Sequence, residues 1–90
     1  MAYTVRYSPR AAKQLAALPA AVQVRLLDRT ERLAEEPRGP GVVKLKDPGS
    51  EPIYRVRAGR DYRALFTVDD ARREVTVVAV GPRKDVYRRR

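Results

Sequence analysis

The 90-residue chain has no cysteine and no histidine. The first absence rules out disulfides and cysteine nucleophiles, and the two together rule out zinc sites built from these residues. Histidine acid–base chemistry is excluded as well. No apolar run approaches the roughly 20 residues that cross a bilayer as a helix, and no signal-peptide pattern opens the chain. A cytoplasmic protein without membrane attachment is expected. There is no internal repeat and no linker, so residues 1–90 read as a single domain. Acidic residues are also scarce: 11 Asp and Glu stand against 20 Lys and Arg, for a net charge of +9.

The surplus charge is uneven. Nine basic and six acidic residues in 1–54 leave +3, whereas eleven and five in 55–90 leave +6. Sixteen of the 20 basic residues are arginine, whose planar fork suits bidentate contact with phosphate. A GC-rich coding sequence produces the same bias. The charge calls for nucleic acid, or for an acidic protein partner that masks it.

Ala2 to Tyr7 alternates and reads as a strand with Tyr3, Val5 and Tyr7 on one face. Ser8-Pro9 is a helix start, since serine caps open N–H groups and proline fits the first turn. The first helix is expected to run to about Leu18, before Pro19. The second runs from about Ala20 to Glu36, with Val22, Leu26, Thr30 and Leu33 as its inner stripe, and Pro37 stops it. Val42 to Lys46 reads as a short strand with Val43 and Leu45 on one face and Lys44 and Lys46 on the other. Glu74 to Val80 is the most apolar strand, with Val75, Val77 and Ala79 facing one way and Val78 and Val80 the other. The fold class is α+β: an N-terminal strand, a helical hairpin, then a four-stranded antiparallel meander with the helices packed on one sheet face.

The stretch from Ile53 to Phe66 carries the most information. Tyr54, Val56 and Ala58 share one face of its first strand, and Tyr62, Ala64 and Phe66 share one face of its second. A two-residue loop would put these sets on opposite faces. A three-residue loop at Gly59-Arg60-Asp61 keeps them together and sets Ala58 opposite Tyr62, Val56 opposite Ala64 and Arg57 opposite Arg63; this register is preferred, although another odd loop or a bulge serves equally well. Arg55, Arg57 and Arg63 then share the other face, with Lys44 and Lys46. Like charges directly opposite destabilise a sheet by roughly 0.2–1 kcal/mol per pair, so such a cluster points to an anion. The spacing also fits plainer readings: a solvated sheet face for Arg55 and Arg57, a salt bridge from Arg63 to Asp61 or Asp69, tail charges for Arg83 and Lys84, and a core-packed ring for Tyr87.

The chain resembles toxins of the RelE/ParE superfamily, from bacterial type II toxin–antitoxin pairs. The resemblance is carried by Tyr3 to Pro9 with Ala12 and Lys13, Leu33 with Glu36-Pro37, and Lys44-Leu45. It continues through Tyr54-Arg55-Val56-Arg57, Gly59 with Asp61-Tyr62-Arg63, and Gly81 with Arg83 to Tyr87. The RelE branch comprises messenger-RNA endonucleases that act in the ribosomal A site, and the ParE branch poisons DNA gyrase. The resemblance to the RelE branch implies catalytic residues Arg55, Arg57, Arg63, Arg83 and Tyr87, with Lys44 and Lys46 contacting RNA. It implies no metal, no small-molecule cofactor, and mRNA, the ribosome and an acidic RelB-like antitoxin as partners. Arg55, Arg57 and Arg63 would hold the phosphate, Arg83 would serve the leaving oxygen as donor or proton source, and Tyr87 would stack on a base or orient the 2′-hydroxyl. Where the best-known RelE pattern has lysines, this chain has Arg55 and Arg57. Arginine does not release its proton, so neither is a general base, which is left to Lys44, Lys46, the RNA or the ribosome. A ParE-like gyrase inhibitor and a non-catalytic nucleic-acid-binding module are the competing functions.

Overall fold

A computed structural model describes residues 2–45, 52–84 and 86. Strand β1 (Thr4–Tyr7) leads into helix α1 (Pro9–Ala16) and helix α2 (Ala20–Glu31), which a 3-10 turn (Arg32–Ala34) extends. Strands β2 (Val43–Leu45), β3 (Ile53–Ala58), β4 (Tyr62–Asp69) and β5 (Glu74–Pro82) follow. The α+β architecture is the expected one.

Local chemistry sets the helix ends. The Ser8 hydroxyl accepts the Ala11 N–H at 3.1 Å, with Pro9 in the first turn, as a capping serine should. Helix α1 stops at Ala16 rather than Leu18, and the Gln23 side-chain amide donates to the Leu18 carbonyl at 2.8 Å. Helix α2 does not continue to Glu36. Its last turn tightens, burying Leu33 completely and leaving the Ala34 carbonyl to accept the Tyr3 N–H at 2.6 Å. Thr30, also fully buried, donates to the Leu26 carbonyl at 2.9 Å and meets the Tyr7 hydroxyl at 2.6 Å. The one polar residue of the inner stripe is therefore satisfied.

The described strands form one sheet in the order β1-β5-β4-β3-β2. Strands β2 to β5 are the expected antiparallel meander, but β1 pairs in parallel with β5, from Thr4 opposite Glu74 to Tyr7 opposite Val77. The sheet is mixed, and β5, its most apolar strand, gains a neighbour on each side. The helices cover one face, where Leu26, Leu33, Val56, Phe66, Val75 and Val77 are buried. The Tyr54 and Phe66 rings stack there with centroids 5.6 Å apart.

The other face is not wholly basic. Leu65, Ala79 and Val86 form a second buried cluster on it, with Leu45, Ile53 and Val78 packed alongside. A bulge in β5 helps to build it. Phe66 pairs with Val77 and Leu65 with Ala79, so Val78 is the extra residue. Val78 and Ala79 both join the second cluster and Val80 returns to the helix face. The simple alternation expected for this strand breaks at that point, as a bulge requires.

Candidate functional site

The β3–β4 hairpin has the register that its apolar faces call for. Ala58 pairs with Tyr62, Val56 with Ala64 and Arg57 with Arg63, around a loop that Gly59 opens at φ +75°. A side chain at Gly59 would be strained in that left-handed conformation. Strand β5 extends the rows: Arg57, Arg63 and Gly81 stand in line, and Arg55, Leu65 and Ala79 form the next line. Gly81 has no side chain, and a Cβ there would meet open space.

Arg63 is the unusual member. It is only 4% exposed, yet no carboxylate pairs with it among the described residues. Its Nη1 donates to the Arg60 carbonyl at 3.1 Å and to the Tyr62 carbonyl at 3.2 Å, and its Nε has no acceptor among the described residues. The alternative salt bridges to Asp61 and Asp69 are absent; Asp69 lies at the far end of β4, beside Arg72. A buried cation served by neutral carbonyls is costly unless an anion completes it. Arg57 is exposed and Arg55 half-buried on the same face.

Arg83 follows β5 directly. Its N–H donates to the Asp61 carbonyl at 2.7 Å, tying it to the β3–β4 loop. The Val86 N–H donates to the Pro82 carbonyl at 3.0 Å, and the Val86 side chain is buried on the second cluster. Asp61, Pro82, Arg83 and Lys84 line a cleft of about 360 Å³. Fixed cations thus gather at the end of the sheet where β3 and β4 are joined. Such an arrangement can stabilise charge on a phosphate. Among the described residues no three His, Cys, Asp or Glu side chains cluster as metal ligands.

Lys44 does not share this face. It pairs with Tyr54, whereas Val43 pairs with Arg55 and Leu45 with Ile53. Cross-strand partners point the same way, so Lys44 lies on the helix side, and Val43 and Leu45 lie on the arginine side. A three-residue strand carries too little alternation to set its own register. The second apolar cluster, which recruits Leu45, sets it instead. Lys46 and Tyr87 lie outside the described residues.

The opposite end of the sheet holds a network with no local sequence signal. Arg38 donates to both Asp70 oxygens, at 3.1 and 2.9 Å, and to the Tyr54 hydroxyl at 3.1 Å, and its guanidinium lies 5.3 Å from the Tyr54 ring centre. The Tyr3 hydroxyl donates to Asp70 at 2.6 Å. Arg38 first, then Tyr3, hold the Asp70 carboxyl below the usual carboxylate range. The bond to Asp70 raises the Tyr3 hydroxyl above its ordinary value.

Residues 5–87 match the family model described as the ParE toxin of the type II toxin–antitoxin system, parDE. No curated protein sequence matches significantly. Among solved structures, the chain is 31% identical to a chain of the archaeal RelE–RelB complex from Pyrococcus horikoshii, with a TM-score of 0.78, covering 94% of this chain and 99% of that one. It is 26% identical to a chain of the toxin–antitoxin complex RelBE2 from Mycobacterium tuberculosis, with a TM-score of 0.80 and coverage of 92% and 100%. For the intact RelBE toxin–antitoxin complex of E. coli the identity is 27%, the TM-score 0.72 and the coverage 89% and 95%.

Proposed function

The chain belongs to the RelE/ParE superfamily of type II toxin–antitoxin toxins, and we propose that within it the protein is a ribosome-dependent mRNA endonuclease. One observation carries this reading: Arg63 is buried with no carboxylate partner among the described residues and stands opposite Arg57, on the face that also bears Arg55. A protein that only needed a stable sheet would gain by replacing this row with apolar residues. A protein that binds a scissile phosphate needs cations already fixed where charge will develop.

In the proposed reaction the 2′-hydroxyl of the message attacks the adjacent phosphate and expels the 5′-oxygen of the next nucleotide, without a metal. Arg55, Arg57 and Arg63 hold the phosphate oxygens as they gain charge. Arg83, tethered through its main chain to Asp61, stabilises the leaving oxygen. Tyr87 stacks on a base or orients the 2′-hydroxyl, and the ribosome holds the message in line for attack. Lys46 contacts the RNA backbone, and Lys44 does so from the edge of the sheet. The similar structures are complexes of RelE with RelB; here an acidic antitoxin neutralises the toxin by covering the basic face.

The family model, named for ParE, favours a second reading: a toxin that inhibits DNA gyrase and cuts no RNA. Primer extension on translating ribosomes separates the two. Breaks within codons support the endonuclease, while intact messages with gyrase-linked DNA breaks establish the ParE-like activity.

A further inference from the structure

The arginines of this site stabilise charge, but they cannot take or give the protons that the cleavage moves. Lys44 lies on the other face. The loop between β3 and β4 supplies a carboxylate instead. Asp61 is exposed and makes no ion pair among the described residues. It is held in place from three sides. Arg63 binds the carbonyls of Arg60 and Tyr62, the residues before and after it, and the Asp61 carbonyl itself accepts the Arg83 N–H. It shares the cleft of about 360 Å³ with Lys84, whose side chain is exposed. The other described carboxylates lie elsewhere: Asp28, Glu31, Glu35 and Glu36 on α2 and just after it, and Asp69, Asp70 and Glu74 at the far end of the sheet. A lysine can release a proton, which the neighbouring Arg83 cannot.

We infer that Asp61 and Lys84 are the proton-transfer pair of this site; the inference rests on the endonuclease reading. The Asp61 carboxylate takes the proton of the 2′-hydroxyl as its oxygen bonds to phosphorus. The bond from phosphorus to the 5′-oxygen breaks, and the electron pair left on that oxygen takes a proton from the Lys84 ammonium. The products are a 2′,3′-cyclic phosphate and a 5′-hydroxyl, and water then carries the proton from the Asp61 carboxyl to the Lys84 amine, which resets the pair. Among the described residues, the charged and titratable groups around Asp61 are Arg57 on β3, Arg60 in the same loop, Tyr62 and Arg63 on β4, and Arg83 and Lys84 after β5. Arg25 on α2 reaches the loop too, its Nη1 lying 3.3 Å from where a Cβ on Gly59 would sit.

The test is single-turnover cleavage of message on translating ribosomes, followed from about pH 6 to about pH 8.5. Asp61→Asn is expected to slow cleavage on the order of 10²–10⁴-fold near neutrality and to regain about tenfold per pH unit as hydroxide replaces the lost base. Wild type should vary little over the same range. Asp61→Glu, which keeps a carboxylate in the turn, should retain the flat profile at a reduced rate. Lys84→Arg keeps the charge and should lose on the order of 10²-fold. A message with sulfur in place of the scissile 5′-oxygen should restore it, because a thiolate leaves without a proton, and should not restore Asp61→Asn. The pairing is overturned if Asp61→Asn cuts at the wild-type rate or slows with a flat pH profile, or if the sulfur substitution fails to rescue Lys84→Arg. A wild type that leaves ribosome-bound messages intact removes the endonuclease reading itself. A wild type that cuts beside an unaffected Asp61→Asn removes only this inference.

Discussion

Arg38 and Arg63 stand at opposite ends of one sheet, and the fold treats them in opposite ways. The Arg38 side chain is 44% exposed, yet it has a carboxylate fork, a tyrosine hydroxyl and an aromatic face. Arg63 is 4% exposed and has two carbonyls. Stability alone would arrange this the other way round, because desolvation raises the need for a counter-charge. The Arg38 end is complete as it stands. The Arg63 end has no carboxylate among the described residues, so its charge is left for an outside anion to balance under the proposed reading.

The contrast is tested most strongly by Arg63→Met. Cleavage on ribosomes is expected to fall on the order of 10²–10³-fold, the usual effect of removing one charge-stabilising donor. Thermal unfolding should shift upward, by ~1 kcal/mol, because an apolar side chain replaces a buried, incompletely bonded cation. A variant that melts lower would show that Arg63 is a stabilising residue after all. Arg57→Ala should reduce cleavage about tenfold, less than Arg63→Met because Arg57 is exposed and screened, while relieving a cross-strand repulsion of roughly 0.2–1 kcal/mol. Arg38→Ala should do the reverse. Cleavage stays at the wild-type rate, and calorimetry shows a loss of about 0.5–1 kcal/mol from the contact over Tyr54.

The smallest expected effect is the pH response of the Arg38 end. The Asp70 carboxyl is lowered by Arg38 and then by Tyr3. Its contribution to stability is therefore full above the unfolded value of about 3.9 and is lost as pH falls through the folded one. Tyr3 is raised, mainly by its bond to Asp70. Its contribution is full below about pH 10 and is lost as pH rises through its folded value. Melting temperature measured against pH should show both losses in wild type, and Asp70→Asn should flatten both. Cleavage by Asp70→Asn at neutral pH should match wild type.

Much of the fold was legible in the residues. Ser8-Pro9 marked the start of α1, Leu26, Thr30 and Leu33 marked the buried stripe, and the apolar faces of β3 and β4 selected a three-residue loop over a two-residue one. That register alone brought Arg57 and Arg63 together. The errors arose where alternation was too short or was interrupted. Val43-Lys44-Leu45 could be placed either way up, and packing against Ile53 and Leu65 decided it. The β5 alternation looked continuous because Val78, Ala79 and Val80 are all apolar, so no polar residue betrayed the bulge. Val86 gave no sign that it would help build a second core over the arginine face. The Arg38–Asp70 pair spans 32 positions, beyond the reach of any local pattern.

The candidate site divides along the same line. Charge, turn chemistry and strand period act over a few residues, and they were enough to place Arg55, Arg57 and Arg63 on one face with Gly59-Arg60-Asp61 as their loop. Burial and pairing depend on which strands become neighbours and where the chain after β5 comes to rest. Those long-range contacts buried Arg63 with no carboxylate among the described residues and gave Arg38 the Asp70 carboxylate. They turned Lys44 to the helix side and closed the Asp61 loop against Arg83.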